Sequence, residues 1–227
     1  MSFLKLYLTL LLLFPTLIYA EIKPHIAVYD LYTKGFYIGE STQTLHKKDD
    51  VWHITLSSKT KGFASFFRSK PAVIKETFKA VNNQIKLQSS DNDPGNKDPK
   101  TISYYDAKSQ HFLISKGDIS RKIKTEPVIA SILTLPLIAS ELKTKQSITY
   151  KMLDKDHLET IVLSSQGKQS INFKGKKVSA SMVLAQLNGS NKKIHYFYND
   201  NTPDIPFLIE RFNGDKKKMH LELKSFK

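Results

Sequence analysis

The chain predicts a mainly β fold: a large curved antiparallel sheet or half-open β-barrel, with one long helix packed against it and an N-terminal signal peptide ahead of it. Three observations lead there. Apolar and polar residues alternate in one short run after another, the period of a strand covered on one face. Gly, Asn and Asp sit between the runs, at the places where hairpins turn. One segment, residues 126–142, is apolar without alternating.

The first element is the leader. Lys5 precedes an uncharged run from Leu6 to Ile18, and Ala20 stands just before the acidic Glu21. A basic start, a short apolar run and a small residue at its end make a secretory signal peptide. A membrane-spanning helix needs about 20 apolar residues, and Pro15 interrupts this run. Cleavage after Ala20, a periplasmic location and a single β-rich domain over residues 21–227 are therefore expected. The absence of cysteine rules out disulfides, thiolate metal sites and a lipid-attachment cysteine, so packing alone has to stabilise the fold.

Charge narrows the partners. The net charge is +14, and only Arg68, Arg121 and Arg211 among the 35 basic residues are arginine. Arginine is the side chain of bidentate base and phosphate recognition, so its scarcity argues against nucleic acid. A lysine-rich exported protein is suited instead to an anionic membrane surface, through an attraction that salt screens.

The strands follow in order. Residues 26–31 alternate, Lys34-Gly35 makes a turn, and Phe36 to Leu45 returns as a hairpin. After Lys47-Lys48-Asp49-Asp50, Trp52, Ile54 and Leu56 alternate with Val51, His53 and Thr55. Val73 to Val81 and Ile85 to Ser89 flank the turn Asn82-Asn83. Asp91 to Pro99, dense in Asp, Asn, Pro and Gly, is a loop. Ile102 to Tyr105 and His111 to Ile114 flank a tight turn.

Residues 126–142 place Ile129, Ile132, Leu133 and Leu137 at helical spacing, with Thr125 as N-cap and Pro127 near the first turn. Pro136 inside that segment predicts a kink or an end. Such a helix divides the domain into two β halves and closes the sheet or acts as a lid. Beyond it, strands are expected at Ser147 to Lys151, Leu158 to Ser164, Ser170 to Phe173, Val178 to Leu187 and Ile194 to Tyr198. Phe207 to Phe212 and Met219 to Leu223 form a last pair around Asn213-Gly214-Asp215.

The order of certain residues carries a resemblance. Tyr29, Gly35 and Gly39 lie in a first hairpin, Trp52 in the next strand and Gly62 after it; a helix follows a β block, then come Tyr198-Asn199-Asp200, Pro206, Ile209-Glu210 and Gly214. This pattern resembles the exported bacterial proteins of domain of unknown function 3108, over nearly all of residues 21–227. The resemblance implies a periplasmic β-rich fold similar to the half-open barrels of lipoprotein carriers, and it implies no established reaction.

Motifs of catalysis are sparse. The seven histidines, at 25, 46, 53, 111, 157, 195 and 220, never fall in a His-Glu-x-x-His or similar ligand spacing. Asp91 to Asp98 alternates oxygen side chains like a calcium loop, but its glycine is displaced, Pro94 intrudes and the distal glutamate is absent. Ser165 to Lys168 and Ser190 to Lys193 match Ser-x-x-Lys without the companion motifs of penicillin-recognising enzymes, and both are read as turns. Asp154, Asp156 and His157 are read as a solvated turn. No catalytic residue, metal ligand or cofactor is assigned.

Aromatic and apolar residues supply the candidate site. Phe63, Phe66 and Phe67 are too dense for one strand face, and with Ile132, Leu133 and Leu137 they are expected to line a cavity for an acyl chain. Tyr104, Tyr196 and Tyr198 are expected to face inward, with hydroxyls toward a polar head group. The expected function is non-enzymatic binding of a lipid or other amphipathic envelope component. The alternative is a structural or adaptor protein of the envelope, without a cavity, that binds a protein or cell-wall polymer through a sheet edge or its lysine face.

Overall fold

A computed structural model describes residues 22–62, 65, 70–82, 84–126, 129–142, 147–202 and 204–227. The signal peptide expected over residues 1–20 and the candidates Phe63, Phe66 and Phe67 lie outside the described residues.

Eight strands form the first meander: β1 (His25–Thr33), β2 (Phe36–Lys48), β3 (Val51–Thr60), β4 (Ala72–Val81), β5 (Gln84–Asp93), β6 (Thr101–Asp106), β7 (His111–Lys116) and β8 (Ile119–Lys124). Hairpin turns drive the succession. Lys34 and Gly35 take φ of 48° and 85°, and two successive positive φ values match the right-handed twist of the flanking strands. After β9 (Ile129–Ser131) and a short helix, α1 (Leu135–Ser140), come β10 (Ser147–Asp154), β11 (His157–Phe173), β12 (Lys176–Leu187), β13 (Lys192–Tyr198), β14 (Leu208–Asn213) and β15 (Lys216–Phe226).

All of these strands join one sheet, in the order β8-β7-β6-β5-β4-β3-β2-β1-β15-β14-β13-β12-β11-β10-β9. The last strand pairs with the first, Tyr29 opposite Leu223, and the chain passes from one sheet edge, β8, to the other, β9. That passage fills the space between the arms. Leu133, Leu135 and Ile138 are buried with Ile54 and Phe78 of one arm and with Leu163 and Val183 of the other. β9 itself packs on β5, where Ile129 meets Leu87 and Phe112. Each fully buried aliphatic or aromatic side chain of this kind contributes about 1.5–3 kcal/mol.

The long helix expected over 126–142 is corrected: Ile129–Ser131 is a strand, residues 132–134 are a turn, and the helix has six residues. Local hydrogen bonds account for the break. The Ser131 N–H donates to Thr134 Oγ1 at 2.8 Å, and the Thr134 N–H donates to Ser131 Oγ at 3.1 Å, so both side chains draw the backbone away from a continuous helix. Thr134, not Thr125, precedes the first turn, and Pro136 falls inside that turn, where its missing N–H leaves no bond unmade.

Three further expectations change. The sheet is antiparallel except where β9 runs parallel to β10, Met152 opposite Ala130. Ser165 to Lys168 is not a turn: β11 runs through it, with a register shift between Ser165 and Gly167. β8, with Arg121, Lys122 and Lys124 among its six residues, shows too little apolar alternation to announce itself.

Candidate functional site

The interior is not completely filled. A cavity of about 530 Å³ opens between the arms, at the end of the sheet where β1, β10 and β14 finish and β13 and β15 begin. Its walls are mostly apolar, with Ile74 of β4, Ile132 of the turn, Met152 of β10, Ile161 of β11, Leu187 of β12 and Ile194 of β13, and Glu76, Ser90 and Asn92 form a polar patch on the β4–β5 side. Basic side chains stand at its mouth, Lys155, Lys192, Lys193, Arg211 and Lys218. Strand ends place them there. Lys155 is in the β10–β11 turn, Lys192 and Lys193 open β13, and Lys218 lies near the start of β15.

The mouth is cationic because five basic side chains stand there against one carboxylate, Asp154, and few of the basic charges are matched. Lys193 lies 3.5 Å from the exposed Asp215, and its ammonium sits 5.7 Å from the centre of the Phe212 ring. Lys155, Lys192 and Lys218 have no carboxylate partner among the described residues.

One carboxyl faces the cavity from deep inside. Glu76 of β4 is 4% exposed and accepts hydrogen bonds from Ser90 Oγ at 3.2 Å and from Ser131 Oγ. Burial disfavours its ionised form and lifts its pKa from 4.5 to about 7, although the two serine hydroxyls oppose the shift. Sequence gave no sign of this group, since Glu76 sits in an alternating run whose other members read as ordinary strand residues.

The expected site residues divide. Ile132 lines this cavity, and Leu137 lines a smaller one of about 310 Å³ near Lys23, His25 and Phe226. Leu133 and Tyr196 are core residues, and burial raises the Tyr196 phenol above its ordinary pKa. Tyr198 is buried too, its hydroxyl donating to the Pro136 carbonyl at 2.7 Å. Tyr104 is corrected: it points outward and is about half exposed.

Residues weighed for chemistry have local explanations. In the calcium-like stretch, Asp93 Oδ1 accepts from Gly95 N–H at 2.9 Å and Asn96 Oδ1 from Asp98 N–H at 2.9 Å, while Asp91 pairs with Lys100 at 2.7 Å. The oxygens are committed to turns and an ion pair. At the β10–β11 hairpin, one ligand atom each from Asp154, His157 and Glu159 lies within 4.8 Å of the others, a set that sequence reading missed because Glu159 belongs to the next strand. His157 already bonds Asp156 at 3.1 Å and Glu159 at 2.7 Å, contacts that raise its pKa.

Comparison with known proteins adds the fold and the family. The crystal structure of a β-barrel-like protein of domain of unknown function DUF1849 from Brucella abortus is similar at 11% identity and a TM-score of 0.55, over 91% of this chain and 98% of that one. A protein with a YmcC-like fold from Bacteroides fragilis shares 8% identity, with a TM-score of 0.39 over 92% of this chain and 98% of that one. No curated protein matches the chain. The first likeness shows the fold alone: a barrel-like β architecture. The family described as protein of unknown function DUF3108 matches residues 28–222, and the chain belongs to it.

Proposed function

We propose that the cavity holds an anionic amphiphile, a lipid or an acylated protein segment, and that the chain is a non-enzymatic carrier or holder of it in the periplasm. The observation behind this reading is the division of one cavity into a largely apolar interior, interrupted by Glu76, Ser90 and Asn92, and a mouth rich in lysine. Its volume of about 530 Å³ falls within the roughly 300–1,000 Å³ of ordinary ligand sites. An acyl chain laid against Ile132, Met152 and Ile161 leaves water for an apolar surface, and its anionic head meets Lys192 and Lys218. A phosphate or carboxylate then finds ammonium groups that have no carboxylate partner among the described residues.

The adaptor reading has the open edge of β8 in its favour. Three of the six β8 residues are Arg or Lys, however, and charge on an edge strand is the usual protection against strand addition. The cavity therefore carries more weight.

Titration with a fluorescent fatty acid tests the proposal. The unmodified protein is expected to bind it saturably, and Ile132→Trp, which fills the cavity from a half-buried wall position, is expected to weaken binding at least tenfold without changing the far-UV spectrum. Native mass spectrometry of protein purified from the periplasm is expected to show a co-purifying lipid. Absence of binding by the unmodified protein, or equal binding by the filled variant, overturns the proposal.

A further inference from the structure

The β1–β2 hairpin ends in two aromatic residues that the fold leaves in water. Phe36 is 75% exposed and Tyr37 is 44% exposed. They open β2 directly after the Lys34-Gly35 turn, and Phe36 is the cross-strand partner of Thr33, a residue of the cavity rim. The tip therefore stands beside the mouth.

The tip is braced as well as exposed. The Tyr37 ring meets Tyr32 edge-on, with centres 5.7 Å apart, and Tyr32 stacks on His220 at 4.6 Å. Thr33 Oγ1 donates to the Lys218 carbonyl at 3.0 Å, joining the hairpin to the start of β15. A rigid hairpin that holds a phenyl ring in water loses burial for no structural gain.

Its surroundings are positive. Lys34, Lys216 and Lys218 are exposed and have no carboxylate partner among the described residues. The carboxylates around it have partners: Glu40 is held by Lys61 and Lys224, Glu210 by Lys217, Asp30 lies 3.9 Å from Lys224, Glu222 lies 3.5 Å from His220, and the exposed Asp215 lies 3.5 Å from Lys193. Exposed aromatic side chains on a hairpin flanked by lysines match the chemistry of an anionic bilayer surface, where rings enter the head-group layer and ammonium groups meet lipid phosphates.

We propose that the Phe36–Tyr37 tip, with Lys34, Lys216 and Lys218, docks on an anionic phospholipid bilayer and turns the cavity mouth toward it. The proposal rests on the amphiphile-binding reading for its purpose, but the docking itself is separable from occupancy of the cavity. Charge complementarity selects this occupant over a second copy of the chain, whose tip carries the same lysines and repels them.

Vesicle flotation decides it. The protein is expected to float with phosphatidylcholine vesicles containing about one-third phosphatidylglycerol, to stay behind with pure phosphatidylcholine, and to lose at least tenfold of its partitioning in Phe36→Ser/Tyr37→Ser. In Phe36→Trp, emission is expected to shift to shorter wavelength when the anionic vesicles are added, which places position 36 itself in the lipid. Undiminished flotation of the double variant, or unchanged emission from Phe36→Trp on vesicles that bind the protein, overturns docking through the tip. So does a dimer, seen by sedimentation of the unmodified protein, that the double variant abolishes. Fatty-acid titration in vesicle-free solution reads the cavity separately: loss of binding there with flotation intact ends the carrier reading and leaves the docking surface standing.

Discussion

Ser131 of β9 donates its hydroxyl hydrogen to the Glu76 carboxylate of β4, across 55 residues of sequence. The same oxygen accepts the N–H groups of Leu133 at 3.2 Å and Thr134 at 3.1 Å. One hydroxyl thus ends β9, shapes the turn that leads into α1, and ties the segment between the arms to the wall of the cavity. The pairing also puts a buried carboxyl on the inner wall of the cavity, so its protonation bears on both folding and binding.

Stability should fall as pH rises through the Glu76 titration. The folded-state pKa is about 7 against 4.5 when unfolded, so the folded protein binds the proton more tightly. The contribution is full below pH 4.5 and is lost as pH climbs through about 7. A shift of this size corresponds to a stability change on the order of 3 kcal/mol. Burial lowers the pKa of His25, His195 and His220, and these groups slope the opposite way, losing stability toward acid. Comparison of Glu76→Gln with its parent isolates the carboxyl. Urea unfolding from pH 5 to pH 8 should show the variant gaining on the parent as pH rises, and a constant difference across that range would refute the assignment.

Ser131→Ala removes the donor and the acceptor together. Loss of a buried, charge-assisted hydrogen bond and of a partner for two backbone N–H groups is expected to cost about 1–3 kcal/mol. The cost should be greater at pH 8 than at pH 5, because the ionised carboxylate depends on the lost donor more than the protonated acid does. Denaturant midpoints at the two pH values measure it; equal losses would detach Ser131 from the Glu76 titration.

Much of the fold was legible because strands announce themselves by alternation and turns by Gly, Asn and Asp. Tyr29, read in the first alternating run and in the family pattern, and Pro206, read only in that pattern, turn out to be bonded, the Tyr29 hydroxyl donating to the Pro206 carbonyl at 3.0 Å. The helix was misjudged for a physical reason: Ile129, Ile132 and Leu133 are apolar all round because they lie between two sheet arms, and a fully surrounded segment shows no period by which strand and helix can be told apart. The apolar share of the site was partly legible, with Ile132 on the cavity wall. Glu76 and the basic mouth were not, because Lys155, Lys192 and Lys218 are far apart in sequence and only the curvature of the sheet gathers them.

Gly39 shows what a family glycine does here. It stands opposite Leu31 next to a register shift and opposite Thr60 on its other side, with φ of 152°. A Cβ there would lie 2.1 Å from the Lys59 carbonyl oxygen, a backbone atom that cannot turn away. Gly39→Ala is expected to cost about 1–3 kcal/mol, the range for a backbone forced out of its allowed region. Gly35→Ala, with nothing within 4 Å of its added Cβ, bears only the cost of its positive φ and should be the milder of the two. Thermal unfolding of both variants tests the order; a Gly39→Ala protein as stable as Gly35→Ala would contradict the close approach.

The basic mouth predicts a particular salt dependence for ligand binding. Lys155 and Lys192 are exposed and unmatched by carboxylates among the described residues, so their attraction for an anionic head acts through water and is open to screening. At about 0.01 M salt the screening length is about 30 Å, and at about 1 M it is about 3 Å. Lys155→Glu/Lys192→Glu should therefore weaken binding of a fluorescent fatty acid severalfold at low salt and much less at high salt, while the apolar contribution from Ile132 and Met152 persists in both. Binding of an uncharged fatty alcohol provides the control, since its head brings no charge to the mouth and its affinity should be nearly the same in parent and variant. Equal weakening for acid and alcohol would mean that the substitutions had disturbed the walls rather than the field.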